Sequence, residues 1–259
     1  MVAMRVAMVQ LASGVDSAAN RRLIAQRLEE LPEDLDLVVL PEAVMHDFGD
    51  PSHDLGGAAE SLDGPFVSML AEHARRLGAT VVAGMFESTG DLPFNTLAVV
   101  GPDGSLRATY RKVHLYDSFG YRESDRMAPG EVAATSFELG GVRIGLMTCY
   151  DLRFPEMSRT LVDDGAEVLL APAAWVAGEH KLHHWRTLLA ARAIENTVFV
   201  LAPAQGGDRY TGHSLALDPM GLVLGEAGPD DDTVVVEIDP DVVGAVRDIN
   251  PSLANRRMA

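Results

Sequence analysis

LDLVVLPE, residues 35–42, reads as a short buried strand that ends on a carboxylate. Pro41 stops the run, because proline brings no N–H to a sheet ladder. A stretch this apolar, with no polar alternation, suits a strand covered on both faces. Outward from it, strands and helices alternate. Upstream lie the strand MRVAMVQ (4–10) and a helix to about residue 30, which Asp16 can cap and whose Leu23, Ile24, Arg27 and Leu28 recur at helical spacing. Downstream, Pro65 opens a helix to about Leu77. TVVAGMF (80–86) follows as a strand, then NTLAVV (95–100) and LRATY (106–110) as a hairpin across the turn PDG.

The second half repeats the pattern. TSFEL (135–139) and VRIGLMT (142–148) flank Gly140-Gly141 as a hairpin. A helix is predicted over 154–164, with Gly165 as its stop. AEVLLAP (166–172) is a strand, 181–196 a helix, and TVFVLAP (197–203) a strand. HSLAL (213–217), GLVLG (221–225) and TVVVEI (233–238) are three short strands, and Asp239-Pro240 starts a last helix. Alternation of this kind predicts α/β layers, and the hairpins predict mixed sheets. No shift in composition marks a linker, so residues 1–259 read as one domain.

Composition excludes several classes. Apolar residues make up 47% and charged residues 23% of 259, which is globular rather than disordered. A chain of this size buries about three-quarters of its unfolded surface, enough for a core without staples. The net charge of −17 repels phosphate backbones and anionic lipid, so neither nucleic acid nor a membrane surface is expected as a partner. The one cysteine, Cys149, rules out an intramolecular disulfide and a four-cysteine zinc site. The longest uncharged stretch, 196–207, has twelve residues, against roughly 18 for a membrane helix. MVAMRVAMVQ carries Arg5 where a signal peptide needs its apolar run, so a cytoplasmic protein is expected.

Three chemistry-bearing residues stand at element ends: Glu42, Lys112 after LRATY, and Cys149 after VRIGLMT. Sites in α/β folds gather at strand ends. A thiol near a helix start has a lowered pKa, a carboxylate can take its proton, and a lysine can hold the oxyanion formed on attack. Each residue alone also has a plain structural reading: a small buried hydrophobe, a solvated strand end and a surface lysine. The segment 112–131 reads as a long functional loop, ordered by Tyr116, Phe119 and Tyr121.

The words around these residues carry more. LVVLPEA at Glu42, YRKVHLYD at Lys112 and CYDLRFPE from Cys149 together resemble the nitrilase superfamily of carbon–nitrogen hydrolases. FNTLAVVGPDG (94–104), WRTLLAARAIEN (185–196) and GHSLALDPMG (212–221) are similar to further segments of that family, so the likeness runs from Val6 to about Arg256. The resemblance implies an α-β-β-α sandwich of two mixed sheets flanked by helices, assembled as a homodimer or higher oligomer. It implies Glu42 as general base, Lys112 as oxyanion stabiliser, Cys149 as nucleophile and Glu123 as a second glutamate, with the N–H of Tyr150 completing the oxyanion hole. CYDL is most similar to the branch of ω-amidases and deaminated-glutathione amidases, which hydrolyse the terminal amide of small carboxylic acids without a cofactor. The true nitrilases read Cys-Trp-Glu, and Leu152 stands where carbamoylases carry an arginine. HHW within KLHHW departs from the commoner Ala-His-Trp.

Other readings compete at single positions. Glu123 can form a loop ion pair with Arg122 or Arg126. His180, His183 and His184 share a helix face but lack a carboxylate or cysteine at a metal-site spacing, so no metal is expected. GHSLA (212–216) misses the serine elbow at Ala216, and no G-x-G supports nucleotide binding. Trp175 is core or pocket wall. Arg153 is expected in the first turn of the helix after Cys149, out of place for the dipole. It serves there either a substrate carboxylate or an ion pair with Asp151 or Glu156.

Overall fold

A computed structural model describes residues 3–258. The first half runs β1 (Met4–Gln10), α1 (Ser17–Glu29), β2 (Leu37–Val39), α2 (Leu55–Ala58), α3 (Pro65–Leu77), β3 (Thr80–Glu87), β4 (Phe94–Val100) and β5 (Leu106–Arg111). A small hairpin, β6 (Asp117–Ser118) and β7 (Tyr121–Arg122), leads to a 3₁₀ turn at Glu123–Asp125. The second half runs β8 (Ser136–Leu139), β9 (Val142–Leu146), a 3₁₀ turn at Cys149–Arg153, α4 (Pro155–Asp163), β10 (Val168–Leu170) and α5 (Lys181–Asn196). It closes with β11 (Phe199–Ala202), β12 (Leu215–Leu217), β13 (Val223–Glu226), β14 (Asp232–Ile238) and α6 (Asp241–Ile249).

Two six-stranded mixed sheets result, ordered β14-β1-β2-β3-β4-β5 and β13-β12-β11-β10-β9-β8. β1, β2 and β3 are parallel neighbours, as are β9, β10 and β11, and the flanking pairs are antiparallel. Alternation along each strand divides its side chains between two layers. Met4, Val6 and Met8 of β1 share a core with Val142, Ile144 and Leu146 of β9, between the sheets. Ala7 and Val9, with Val38 and Leu40, instead pack under Ile24 and Leu28 of α1 and Phe66 and Leu70 of α3. Leu161 of α4 and Trp185 and Leu189 of α5 join the core of the second sheet. This is the layered α-β-β-α sandwich expected from the motifs, and central strands covered on both faces explain their unbroken apolar runs.

Local signals act as expected at most boundaries. Asp16 caps α1, its Oδ1 accepting from the N–H groups of Ala18 at 2.9 Å and Ala19 at 3.0 Å. Pro65 opens α3, and Gly78 closes it with φ of 64°. Two features go beyond these signals. TVVVEI is a strand as expected, but β14 leaves the sheet of β12 and β13, crosses to the first sheet and pairs antiparallel with β1, Met4 opposite Ile238. The strand expected over 142–148 is shorter: β9 ends at Leu146, and the 3₁₀ turn at Cys149–Arg153 intervenes before α4, which starts at Pro155 rather than Phe154. Pro155 is the cause, since the residue before proline is pushed to extended backbone, and Phe154 has φ −109° and ψ 99°.

Candidate active site

The ends of β2, β5 and β9 bring Glu42, Lys112 and Cys149 together, with Glu123 from the 3₁₀ turn after β7. They line the floor of a cavity of about 290 Å³. Glu42 and Glu123 are each 1% exposed, Lys112 2% and Cys149 8%, so this is charge inside the protein. Lys112 Nζ donates to Glu42 Oε1 at 2.8 Å and to Glu123 Oε2 at 2.9 Å. Asn95 Nδ2 donates to Glu42 Oε1 at 2.7 Å and to Glu123 Oε1 at 3.0 Å. Backbone N–H groups add one bond each: Ala174 to Glu42 Oε2 at 2.7 Å, and Tyr116 to Glu123 Oε2 at 2.7 Å. Glu123 pairs with Lys112 and not with Arg122 or Arg126; Arg122 reaches Asp125, and Arg126 donates to the carbonyls of Phe48 and His53.

The backbone under these groups is held in unusual places. Ala43 has φ of 54° and Cys149 φ of 48°, the left-handed region that side chains avoid. Gln205, just past β11 of the opposite sheet, donates to the carbonyls of Glu42 at 2.9 Å and Ala43 at 3.1 Å. Gly84 lies flat beneath them; a Cβ there would meet Ala43 N at 2.5 Å and Glu42 Cα at 2.6 Å. The Cys149 N–H donates to Pro172 O at 3.0 Å, so the segment that binds Glu42 through Ala174 also fixes the thiol's backbone. Asp151, fully buried, ties this turn to the lysine loop. Its carboxylate accepts from Thr148 N at 2.8 Å, Tyr110 Oη at 2.6 Å and His114 N at 3.0 Å.

Burial and the neighbouring carboxylates set the protonation. Burial opposes the charge on Lys112, but Glu123 and Glu42 outweigh it and hold its pKa well above the ordinary lysine value. The Cys149 thiol is pushed well above its ordinary range, first by burial and then by the charge of Glu42, with Lys112 pulling the other way. The sequence predicts a lowered thiol pKa from a helix start. The structure reverses this, because one 3₁₀ turn supplies little dipole and the pocket removes water. The thiol therefore rests protonated, and attack needs a partner to take its proton.

Arg153 also differs from expectation. It closes the 3₁₀ turn rather than opening α4, so the dipole argument does not apply to it. Among the described residues no carboxylate pairs with it: the Asp151 carboxylate is taken by other donors, and Arg153 Nε and Nη2 are buried without a partner. Its guanidinium stands 4.8 Å from the ring centre of Trp175 and 6.0 Å from that of Tyr150, all three lining the cavity. Trp175, 4% exposed, is the pocket wall and donates through Nε1 to Lys181 O at 2.9 Å.

Two lining groups, and one residue packed between the glutamates, were not expected from the sequence. Lys181 extends into the cavity, its Nζ donating to Tyr116 Oη at 3.1 Å and lying 3.8 Å from the Phe119 ring centre. Burial and then Arg153 lower its pKa, and among the described residues no carboxylate pairs with it to offset them. A lysine at a helix start was the signal, since the dipole disfavours it there. Arg209 lines the cavity paired with Asp47 at 2.5 Å, and Asn95 sits between the glutamates; neither position carried a sequence signal. The histidines do not converge: His180 lies beside Glu179 at 3.2 Å, and the rings of His183 and His184 stand 6.1 Å apart.

Comparison with known proteins identifies the family and the fold. The carbon–nitrogen hydrolase family matches residues 5–248. A deaminated glutathione amidase from Escherichia coli O157:H7 is 39% identical over 239 residues, 92% of this chain and 89% of its own. A carbon–nitrogen hydrolase superfamily protein from Xanthomonas campestris, solved with an arsenic adduct in its active site, is 32% identical. It superposes with a TM-score of 0.90 over 100% of this chain and 99% of its own. A variant of an amidase from Nesterenkonia sp. AN1 is 27% identical, with a TM-score of 0.81 over 97% of this chain and 96% of its own. It carries the acetamide moiety of fluoroacetamide on its active-site cysteine.

Proposed function

The chain belongs to the carbon–nitrogen hydrolase family, and from that premise we propose that it hydrolyses the terminal amide of a small carboxylic acid to the acid and ammonia. The observation that carries the reading is one thiol, Cys149, at the floor of a cavity whose buried set is Glu42, Lys112 and Glu123. Glu42 takes the thiol proton as sulfur attacks the amide carbon. Lys112 and the Tyr150 N–H hold the oxyanion. The proton passes from Glu42 to the nitrogen, ammonia leaves, and a Cys149 thioester remains. Glu42 then takes a proton from water as its oxygen attacks the thioester carbon; the carbon–sulfur bond breaks, the acid leaves, and Glu42 gives the proton to the Cys149 sulfur. Glu123 keeps Lys112 charged and aimed. Every step uses groups of this chain, so the reaction as drawn calls on no cofactor. The cysteine adduct of the Nesterenkonia amidase is the precedent for the covalent step. A screen of terminal amides, N-carbamoyl compounds and nitriles for ammonia release tests the reading. Release from nitriles or carbamoyl compounds alone overturns the amide assignment, and no release from any class overturns the enzyme.

The carboxylate part rests on charge. A protein of net charge −17 repels small anions, yet Arg153 and Lys181 face the cavity with no carboxylate partner among the described residues. A guanidinium held over two rings suits a planar carboxylate through two parallel hydrogen bonds. Arg153→Leu is expected to lower kcat/KM about 10- to 150-fold for an amide bearing a carboxylate, the scale of one charged hydrogen bond at about 1.5–3 kcal/mol. A neutral amide of equal length should lose little. Equal losses for both, with a lower Tm, assign the arginine to the fold.

The assembly belongs to the proposal as well. Ile194, Met220, Leu222 and Val223 are 47–65% exposed, and Gly221, between Met220 and Leu222, lies against Ile194. A homodimer or larger oligomer is expected, and sedimentation as a 27.8 kDa monomer at micromolar concentration overturns it. A cytoplasmic location suits a working free thiol, and cell fractionation checks it. Among the described residues no helix is long and apolar enough to cross a membrane.

A further inference from the structure

The two buried glutamates share a donor that the mechanism above leaves idle. Asn95 lies on β4, 1% exposed, and gives one N–H to Glu42 Oε1 and the other to Glu123 Oε1. Its own Oδ1 is buried without a partner, so its side-chain hydrogen bonds are these two. Its carbonyl accepts from Lys112 N at 2.8 Å, which fixes the lysine to the same strand.

An ionised carboxylate offers about four acceptor sites. Glu42 Oε1 is filled by Lys112 and Asn95, and Oε2 by the Ala174 N–H, which leaves one site, on Oε2. Glu123 has one open site as well, on Oε1. Two carboxylates and one ammonium leave a buried excess of one negative charge. Hydrogen bonds donated to a carboxylate favour its charged form, and a base that already holds a proton cannot take another from a thiol. A neutral amide with two N–H groups satisfies both without supplying a proton.

We propose that Asn95 is a positioning residue that sets Glu42 up as the proton acceptor: it fills Oε1 and leaves the open site on Oε2 for the Cys149 thiol. The proposal rests on the reading of Glu42 as base. The titratable and charged groups facing Glu42 are Lys112, Glu123, Cys149 and Tyr210, and the Tyr210 hydroxyl spends its hydrogen on Asp47.

Cys149 is the only cysteine, so iodoacetamide uptake followed by mass reads this thiol whatever the natural amide is. The rate is measured from pH 5 to 9 in the wild type, Asn95→Asp, Asn95→Ala and Glu42→Gln. Asn95→Asp keeps the shape but puts an oxygen where the donors were; Asn95→Ala removes them and stays neutral, so it serves where the aspartate does not fold. In both, the acid limb is expected to move up by about one pH unit or more, with about a tenfold loss of rate on that limb. A role in stability alone lowers Tm and leaves the limb in place, and a folded variant with the wild-type limb overturns the proposal. Glu42→Gln separates the two ideas. If it abolishes the limb while the Asn95 variants keep it, the Asn95 role alone falls; if it keeps the limb, the base assignment falls and takes the Asn95 role with it.

Discussion

Cys149→Ala is expected to release ammonia at less than about a thousandth of the wild-type rate, because the covalent route is lost entirely. No second thiol can substitute, since the chain has one cysteine. Lys112, Glu42 and the pocket remain, so substrate binding survives and KM is a poor guide to the defect. The fold should survive too. Alanine suffers the same positive φ of 48° as cysteine does, and the deleted sulfur leaves only a small cavity. A loss on the order of 1 kcal/mol, or about 2–4 °C in Tm, is the expected scale. In the wild type a slow amide or a haloacetamide should add one acyl or acetamide mass to the protein, and the alanine variant should add none. Hydrolysis that persists in the variant at the wild-type rate removes the thioester from the mechanism.

How much of this was legible in the sequence depends on which contacts were local. α5 is delimited by its own sequence and runs 181–196 as expected; α1, capped by Asp16, begins at Ser17. Central strands such as LVV of β2 advertise burial on both faces. The crossing of β14 to β1 does not, because a half-exposed edge strand fits either sheet, and the choice is made by partners two hundred residues away. At the site, Glu42, Lys112 and Cys149 stood out through their flanking words. Asn95 did not: NTLAVV is a good strand with or without a polar start, and only the fold puts its amide between two carboxylates. The thiol's protonation was misjudged for a related reason. A strand followed by a helix suggests a dipole, but Pro155 turns the helix start into a single 3₁₀ turn, and burial then decides.

Lys112→Met is expected to injure activity and stability together, and the second effect has a signature in pH. Methionine fills most of the volume, so the cavity term is small, but two carboxylates at 1% exposure lose the charged partner they share. Removing one partner of a buried ion pair costs about 3–5 kcal/mol. In the wild type the raised pKa of Lys112 stabilises the fold fully below the unfolded lysine value, near 10.4, so this contribution is constant through the neutral range and fades only in alkali. In the variant the carboxyls can stay buried only by holding protons that the unfolded chain has released. The native state then binds more protons than the unfolded one, and stability falls as pH rises above the ordinary carboxylate range of about 4. Tm should therefore be higher at pH 5 than at pH 8 in Lys112→Met, and the gap should exceed any seen in the wild type. At pH 7 and a temperature where the variant is folded, kcat should be down about 10²-fold or more, since the oxyanion loses its charged donor. Adding Glu42→Gln removes one of the stranded charges as well as the base. The double variant should thus lose far less than the product of the single losses in kcat, and should melt above Lys112→Met alone. Multiplicative kinetic losses with a further fall in Tm would mean that the lysine and the glutamate neither share a transition state nor compensate each other's burial.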